Sequence, residues 1–257
     1  MMQSPVPEAI LRMLALADST WHPILLKGLE AVAAAEPAYL TELAVDQFLP
    51  TENRLFAAFS LPLEQVRYVL VGEGPYPRAE SATGVCFMDG AVGSLWSDAG
   101  LSKQVNRATS LRNFMKMLLV ADGQLPVDAT SGAAMAPVAA KSRSESGWTQ
   151  TLAELQQKLI GQGFLLLNAA LVFRPHVAPV KEAKAWRPFL QTVLAALAAS
   201  APTLVLWGKI AEQLQALPEC ARFDQALAEH PYNLSFIANR DMQRLFGAMN
   251  LLRTPGA

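Results

Sequence analysis

The chain predicts an α/β fold in which a parallel sheet is covered on both faces by helices. Three observations carry this. Short apolar runs at 68–71, 164–168 and 203–207 read as buried strands. Segments with helical spacing lie between them, and strands that alternate with helices build parallel sheets. The chain has 257 residues, 52% hydrophobic and 17% charged, which is long enough to bury a sizeable core and too apolar for disorder.

Taken in order, residues 7–48 place Ile10, Met13, Leu14 and Leu16, then Leu25, Leu26 and Leu29, at helical spacing. Two or three helices fit, with Pro37 near a boundary. Residues 53–60 read as a short helix ending near Pro62. After the strand at 68–71, the Gly-, Pro- and Ser-rich stretch 72–87 suits a shaped loop. Helix resumes over 110–120, with Leu111, Phe114, Met115, Leu118 and Leu119 on one side. Residues 121–147 are small, polar and turn-rich. They read as a flexible surface insertion within one fold, so residues 1–257 are expected to form a single domain. A helix over 148–161, the strand at 164–168, a loop through His176, a helix over 186–199 and the strand at 203–207 complete the alternation. The closing loop starts at His230, with a helix or short turn before the end. There are no internal repeats.

The formal net charge is −1, so no global pull toward nucleic acid is visible, although a local basic stripe is compatible with it. The two cysteines, Cys86 and Cys220, have no metal-ligand spacing and make no disulfide framework; both read as buried thiols in a reducing compartment. No signal peptide is read at the N-terminus. The apolar region 188–207 is interrupted by Gln191, Ser200 and Pro202 and reads as helix plus strand, not a membrane span. These features suggest a cytoplasmic protein.

Chemistry concentrates in four ordered segments. Gly72-Glu73-Gly74-Pro75-Tyr76-Pro77, running on to Gly84-Val85-Cys86-Phe87, follows the first strand, at the carboxyl end where α/β folds place their sites. Ser110-Leu111-Arg112-Asn113 opens a helix, and Leu165-Leu166-Leu167-Asn168 ends a strand. His230-Pro231-Tyr232-Asn233-Leu234-Ser235 opens the closing loop. Each position alone has a plainer reading. Ser110 suits an N-cap, Asn168 a turn former, Phe87 and Tyr76 core aromatics, and His230 a loop cap.

As an ordered set, these segments resemble the uracil-DNA glycosylase family over most of residues 20–250. The resemblance implies a three-layer α/β/α fold around a central, mostly parallel four-stranded sheet. It implies DNA as partner, a monomer, and hydrolysis of the N-glycosidic bond of uracil or another damaged base, as in base excision repair. A base inside a duplex is out of reach, so such an enzyme extrudes it. By this resemblance Phe87 stacks on the flipped base, Asn168 reads its edge, and Tyr76 crowds the C5 position. His230 stabilises the departing base, Leu234 fills the vacated space, and Ser110 and Ser235 hold the flanking phosphates.

The chain departs from the family where the family carries its catalytic Asp, because Gly74 stands there. Pro77 replaces a family His, and Tyr232 and Asn233 replace the family's Ser and Pro in the wedge loop. A positioned acid or base contributes roughly 10²–10⁴ in rate. Reduced or altered activity is therefore expected, with Asp89 the better candidate to replace the acid and Glu73 a second. The alternative is a non-catalytic member that binds DNA or a protein partner. Arg78, Lys103, Arg107, Arg112, Lys116, Arg240 and Arg244 flank these motifs, as a backbone-tracking stripe or as ordinary solvated charges. No metal site or nucleotide-binding loop is visible, and two cysteines cannot supply the four ligands of an iron–sulfur cluster, so no cofactor is expected. His22 and His176 have no partner legible in the sequence; His176, in the loop that leaves Asn168, is placed near the pocket mouth.

Overall fold

The computed structural model describes residues 5–254. In chain order the helices are α1 (Glu8–Leu11), α2 (His22–Ala35), α3 (Tyr39–Val45), α4 (Lys103–Arg107), α5 (Thr109–Ala121), α6 (Gly132–Ser144), α7 (Leu152–Gly161), α8 (Pro179–Leu197), α9 (Lys209–Gln215) and α10 (Arg240–Gly247). The strands are β1 (Tyr68–Gly72), β2 (Trp96–Ser97), β3 (Gly100–Leu101), β4 (Phe164–Asn168), β5 (Thr203–Trp207) and β6 (Gln225–Ala228), joined in places by short 3-10 turns. The main sheet has the order β4-β1-β5-β6 and is flanked by helices, the α/β architecture expected; β2 and β3 form a separate antiparallel pair.

The chain condenses into two compact units. Unit 1 holds the residues up to Asp89 together with Gly163–Leu206 and Ile210–Gln225. Unit 2 holds Gly90–Gln162, Trp207–Lys209 and the chain from Ala226 onward.

In unit 1, β1 lies between β4 and β5 and runs parallel to both, with Tyr68 opposite Phe164 and Thr203. All of β4 is buried, as is the middle of β1. Parallel strands covered on two faces read as unbroken apolar runs rather than alternating ones, which is why the sequence shows them plainly. Helices α2 and α8 pack closely at Gly28, where an added Cβ would lie 2.6 Å from the Phe189 ring. Trp21, Phe56, Phe59, Trp186 and Phe189 fill the core around that crossing in edge-to-face and tilted contacts. Such pairs add about 0.5–1.5 kcal/mol beyond area burial.

Unit 2 centres on a second aromatic cluster. Phe114 of α5 meets Phe246 of α10 edge to face at 5.1 Å, and Trp207 meets Phe236 at 5.3 Å. The Trp207 indole donates to the Met242 sulfur at 3.3 Å.

The structure differs from the sequence reading in several places. Residues 121–147 contain a regular helix, α6, which buries Met135, Val138, Ala139 and Ser142. Those positions follow helical spacing, and the Ala-rich run favours helix, but small side chains hide the pattern from a composition-based reading. Helix α7 starts at Leu152 rather than 148, because Trp148 and Thr151 make strand-like bridges to Arg253 and Ser94. Helix α8 starts at Pro179, where a proline costs no hydrogen bond, and continues through Pro188. Ser110 lies inside α5 and does not cap it; the helix begins at Thr109 after Ala108. The sequence reading had no counterpart for α4, α9, β2, β3 and β6. Among the described residues no helix is long and apolar enough to cross a membrane, and Cys86 and Cys220 are buried free thiols.

Candidate active site

In unit 1 the loop leaving β1 is pinned by backbone. Gly72 and Glu73 carbonyls accept from the Ala169 and Ala170 N–H groups at 2.8 and 3.0 Å. The Cys86 N–H donates to the Leu166 carbonyl at 3.1 Å and its thiol to the Leu70 carbonyl at 3.3 Å, so the far end of the loop returns to the same two strands. Gly84, at φ +82°, sits where an added Cβ would be 2.1 Å from the Arg54 carbonyl oxygen. Phe87, half-buried, holds φ at +66°. A left-handed aromatic residue costs on the order of 1–3 kcal/mol, and such outliers cluster at ligand sites.

Gly72 faces Asn168 in the β1–β4 register, and a Cβ on Gly72 would lie 2.9 Å from the Asn168 side-chain oxygen. Asn168 is 4% exposed, at the carboxyl end of β4. Gly74 is exposed, and a Cβ there would meet only Ala170, at 3.6 Å or more. The loop therefore has room for a larger side chain at this position.

Asp89 is buried, with the Arg78 guanidinium 3.5 Å away. Burial pushes the Tyr76 phenol up to about 12, with the nearby Asp89 charge adding to the effect, so Tyr76 keeps its proton at neutral pH. Glu73 is exposed and makes no ion pair among the described residues.

The segment beyond Asn168 is fastened by charge. Arg174 donates to Glu182 at 2.6 Å and to Asp46 at 3.2 Å, and lies over the Tyr39 ring. Tyr39 donates to Glu182, and His176 sits 2.9 Å from Asp46. Removing one partner would strand a buried charge, the costly event for such groups. His22 has a structural place, its Nε2 3.2 Å from the Leu14 and Ala17 carbonyls.

In unit 2 the His230 loop is held by one side chain. Asn113, 0% exposed on α5, donates from Nδ2 to the carbonyls of Pro231, Tyr232 and Asn233 at 2.8, 3.3 and 3.4 Å. Arg112 donates to the Asn113 side-chain oxygen at 3.3 Å and orients the amide. The Tyr232 N–H donates to His230 Nδ1 at 3.1 Å, which places the neutral imidazole's proton on Nε2. Gly208, at φ +65°, lets the chain pass His230, whose Cβ is 2.8 Å from where a Gly208 Cβ would sit. Leu234 is 69% exposed. Ser235 is exposed and hydrogen-bonds Glu229; burial raises that carboxyl, but bonds from Ser235, its own backbone and Asn239 outweigh it and hold it low.

Thus the structure gathers Glu73, Tyr76, Phe87, Asp89 and Asn168 around the carboxyl ends of β1 and β4 in unit 1. In unit 2, Ser110 lies on α5, and His230, Leu234 and Ser235 lie on the loop that Asn113 of the same helix holds. The sequence reading gave no role to Asn113, Gly208 or the Arg174 network. For Asn113 the available signal is a polar residue set between Leu111 and Phe114 on the buried side of a helix.

The sequence model of the uracil DNA glycosylase superfamily matches residues 59–250, and the chain belongs to that superfamily. Among curated proteins, it is 30% identical to a uracil-DNA glycosylase of Corynebacterium glutamicum over 76% of this chain and 73% of the relative. It is 27% identical to one of a Nocardioides species over 87% and 84%. Among solved structures, the wild-type UNG from Nitratifractor salsuginis matches with a TM-score of 0.87 at 41% identity, covering 95% of this chain and 96% of that one.

Proposed function

We propose that this chain hydrolyses the N-glycosidic bond of uracil in DNA, as a monomeric cytoplasmic enzyme of base excision repair, at a rate reduced or altered by Gly74. The observation that carries this reading is Asn168 at the carboxyl end of β4, opposite Gly72, whose amide offers a donor and an acceptor that match the edge of a uracil ring. In this reading Phe87 stacks on the base and Tyr76 bars a C5 methyl. His230 donates its Nε2 proton to the oxygen on which negative charge develops, a contribution of roughly 10²–10³ in rate. Asp89, or water without a protein base, takes the place of the missing acid. Leu234 enters the stack, and Ser110 and Ser235 contact phosphate.

The absent side chain at Gly74 favours a second reading, a non-catalytic member that binds DNA or a protein partner. One experiment separates them. The protein, in large excess, is incubated for hours with a labelled oligonucleotide bearing one uracil, then treated with alkali. Strand breaks that disappear in His230→Ala are expected. No breaks from folded protein would remove the catalytic reading.

A further inference from the structure

Tyr232 is the one aromatic among the exposed large apolar side chains of the described residues, at 67% exposure, and it stands two positions from Leu234 at 69%. Its backbone is occupied on both sides. The N–H donates to His230 Nδ1 and the carbonyl accepts from Asn113. Asn233 closes the turn by donating its N–H to the His230 carbonyl at 2.9 Å. The backbone that carries the ring is thus tied down at three points, while the phenol itself stands in water. Its ring packs against no other aromatic ring among the described residues.

We propose that Tyr232 is a second DNA-contacting prong, whose ring stacks on a nucleobase left without its neighbour when a nucleotide is extruded. This rests on the reading of the chain as a uracil-DNA glycosylase. Extrusion leaves a gap one base thick and exposes the flat faces of the bases around it. A branched aliphatic side chain fills a gap but covers a base face poorly, whereas a phenol ring covers it well. A braced backbone and a side chain with two torsions lose little freedom on contact, which favours binding. Stacking on an aromatic side chain tolerates any base, since every base presents a π-face, so the contact should serve single strands as well as opened duplexes.

The test uses full-length protein and two probes, a duplex bearing a tetrahydrofuran abasic-site analogue and a single strand of the same sequence. A fluorescent 2-aminopurine sits opposite the analogue or, in the single strand, beside it. Tyr232→Ala is expected to weaken binding to both by about 5- to 100-fold and to abolish quenching of the 2-aminopurine. Tyr232→Phe should retain both within about twofold. Equal melting temperatures would show that the exposed substitution leaves the fold intact. If Tyr232→Ala binds and quenches like the parent while Leu234→Ala binds weakly, the stacking proposal fails and the glycosylase reading stands. If the parent protein binds neither probe, both fail together.

Discussion

The loop over 72–89 takes its shape from side chains that are missing, whereas the loop over 230–235 takes its shape from one that is present. In the first, Gly72 makes room for the Asn168 amide and Gly84 slips under the Arg54 carbonyl, while backbone hydrogen bonds to the β4 end do the holding. In the second, Asn113 alone reaches three consecutive carbonyls. The lesson is about tolerance. A backbone-pinned loop does not depend on any one side chain, and at Gly74 it leaves room for a larger one. A loop hung on one amide is held through its carbonyls, not through the side chains of Tyr232 and Asn233, but cannot lose the amide.

The largest expected effect sharpens the first half of this contrast. Gly74→Asp adds a side chain where only Ala170 is within van der Waals reach, so the fold should accept it. Uracil release in single-turnover kinetics should rise about 10²–10⁴-fold. An unchanged rate with an unchanged melting temperature would show that the pocket lacks more than its acid.

Next in size is Asn113→Ala, which leaves the Pro231, Tyr232 and Asn233 carbonyls without their donor. Loss of this buried group should cost about 1–3 kcal/mol in denaturant unfolding. Uracil release should fall by more than the loss of folded protein explains, with kcat moving more than KM, because His230 loses its fixed place. A melting change without a kinetic one would reduce Asn113 to a packing residue.

The smallest effect lies away from both loops. Burial raises the Asp122 carboxyl to about 6, above its ordinary 3.8, so the folded state holds a proton that the unfolded chain releases in that range. Stability from this group is therefore full at low pH and lost as pH rises through that window. Asp122→Asn should raise the melting temperature slightly at pH 7 and flatten its decline between about pH 4 and 6. A thermal-melt series across that range checks it.

What was legible in the sequence follows the same division between local and distant causes. The runs that became β1, β4 and β5 announce themselves because strands covered on both faces carry no polar alternation. The order of the four motifs pointed to the family and, through it, to a four-stranded sheet, but not to the place of β6. Helix α6 stayed hidden because its buried face is built from one Met, one Val and small residues. The expected helix over 186–199 already ran through Pro188, but its first turn begins earlier, at Pro179, where prolines are favoured. Strands β2 and β3 are two residues each, too short for any period to register. The duties of Asn113, Arg174 and Glu182 depend on partners far along the chain, such as Pro231 for Asn113 and Asp46 for Arg174. No local pattern encodes such pairings.

The way the chain is threaded through its two units bears on how such a protein can change over generations. It passes from one unit to the other after residues 89, 162, 206, 209 and 225. No single break in the gene delivers either unit whole, and a crossover with a relative exchanges pieces of both. The loop over 72–89 and the His230 loop are thus inherited as one linked set, and an allele that alters one must be judged in the company of the other.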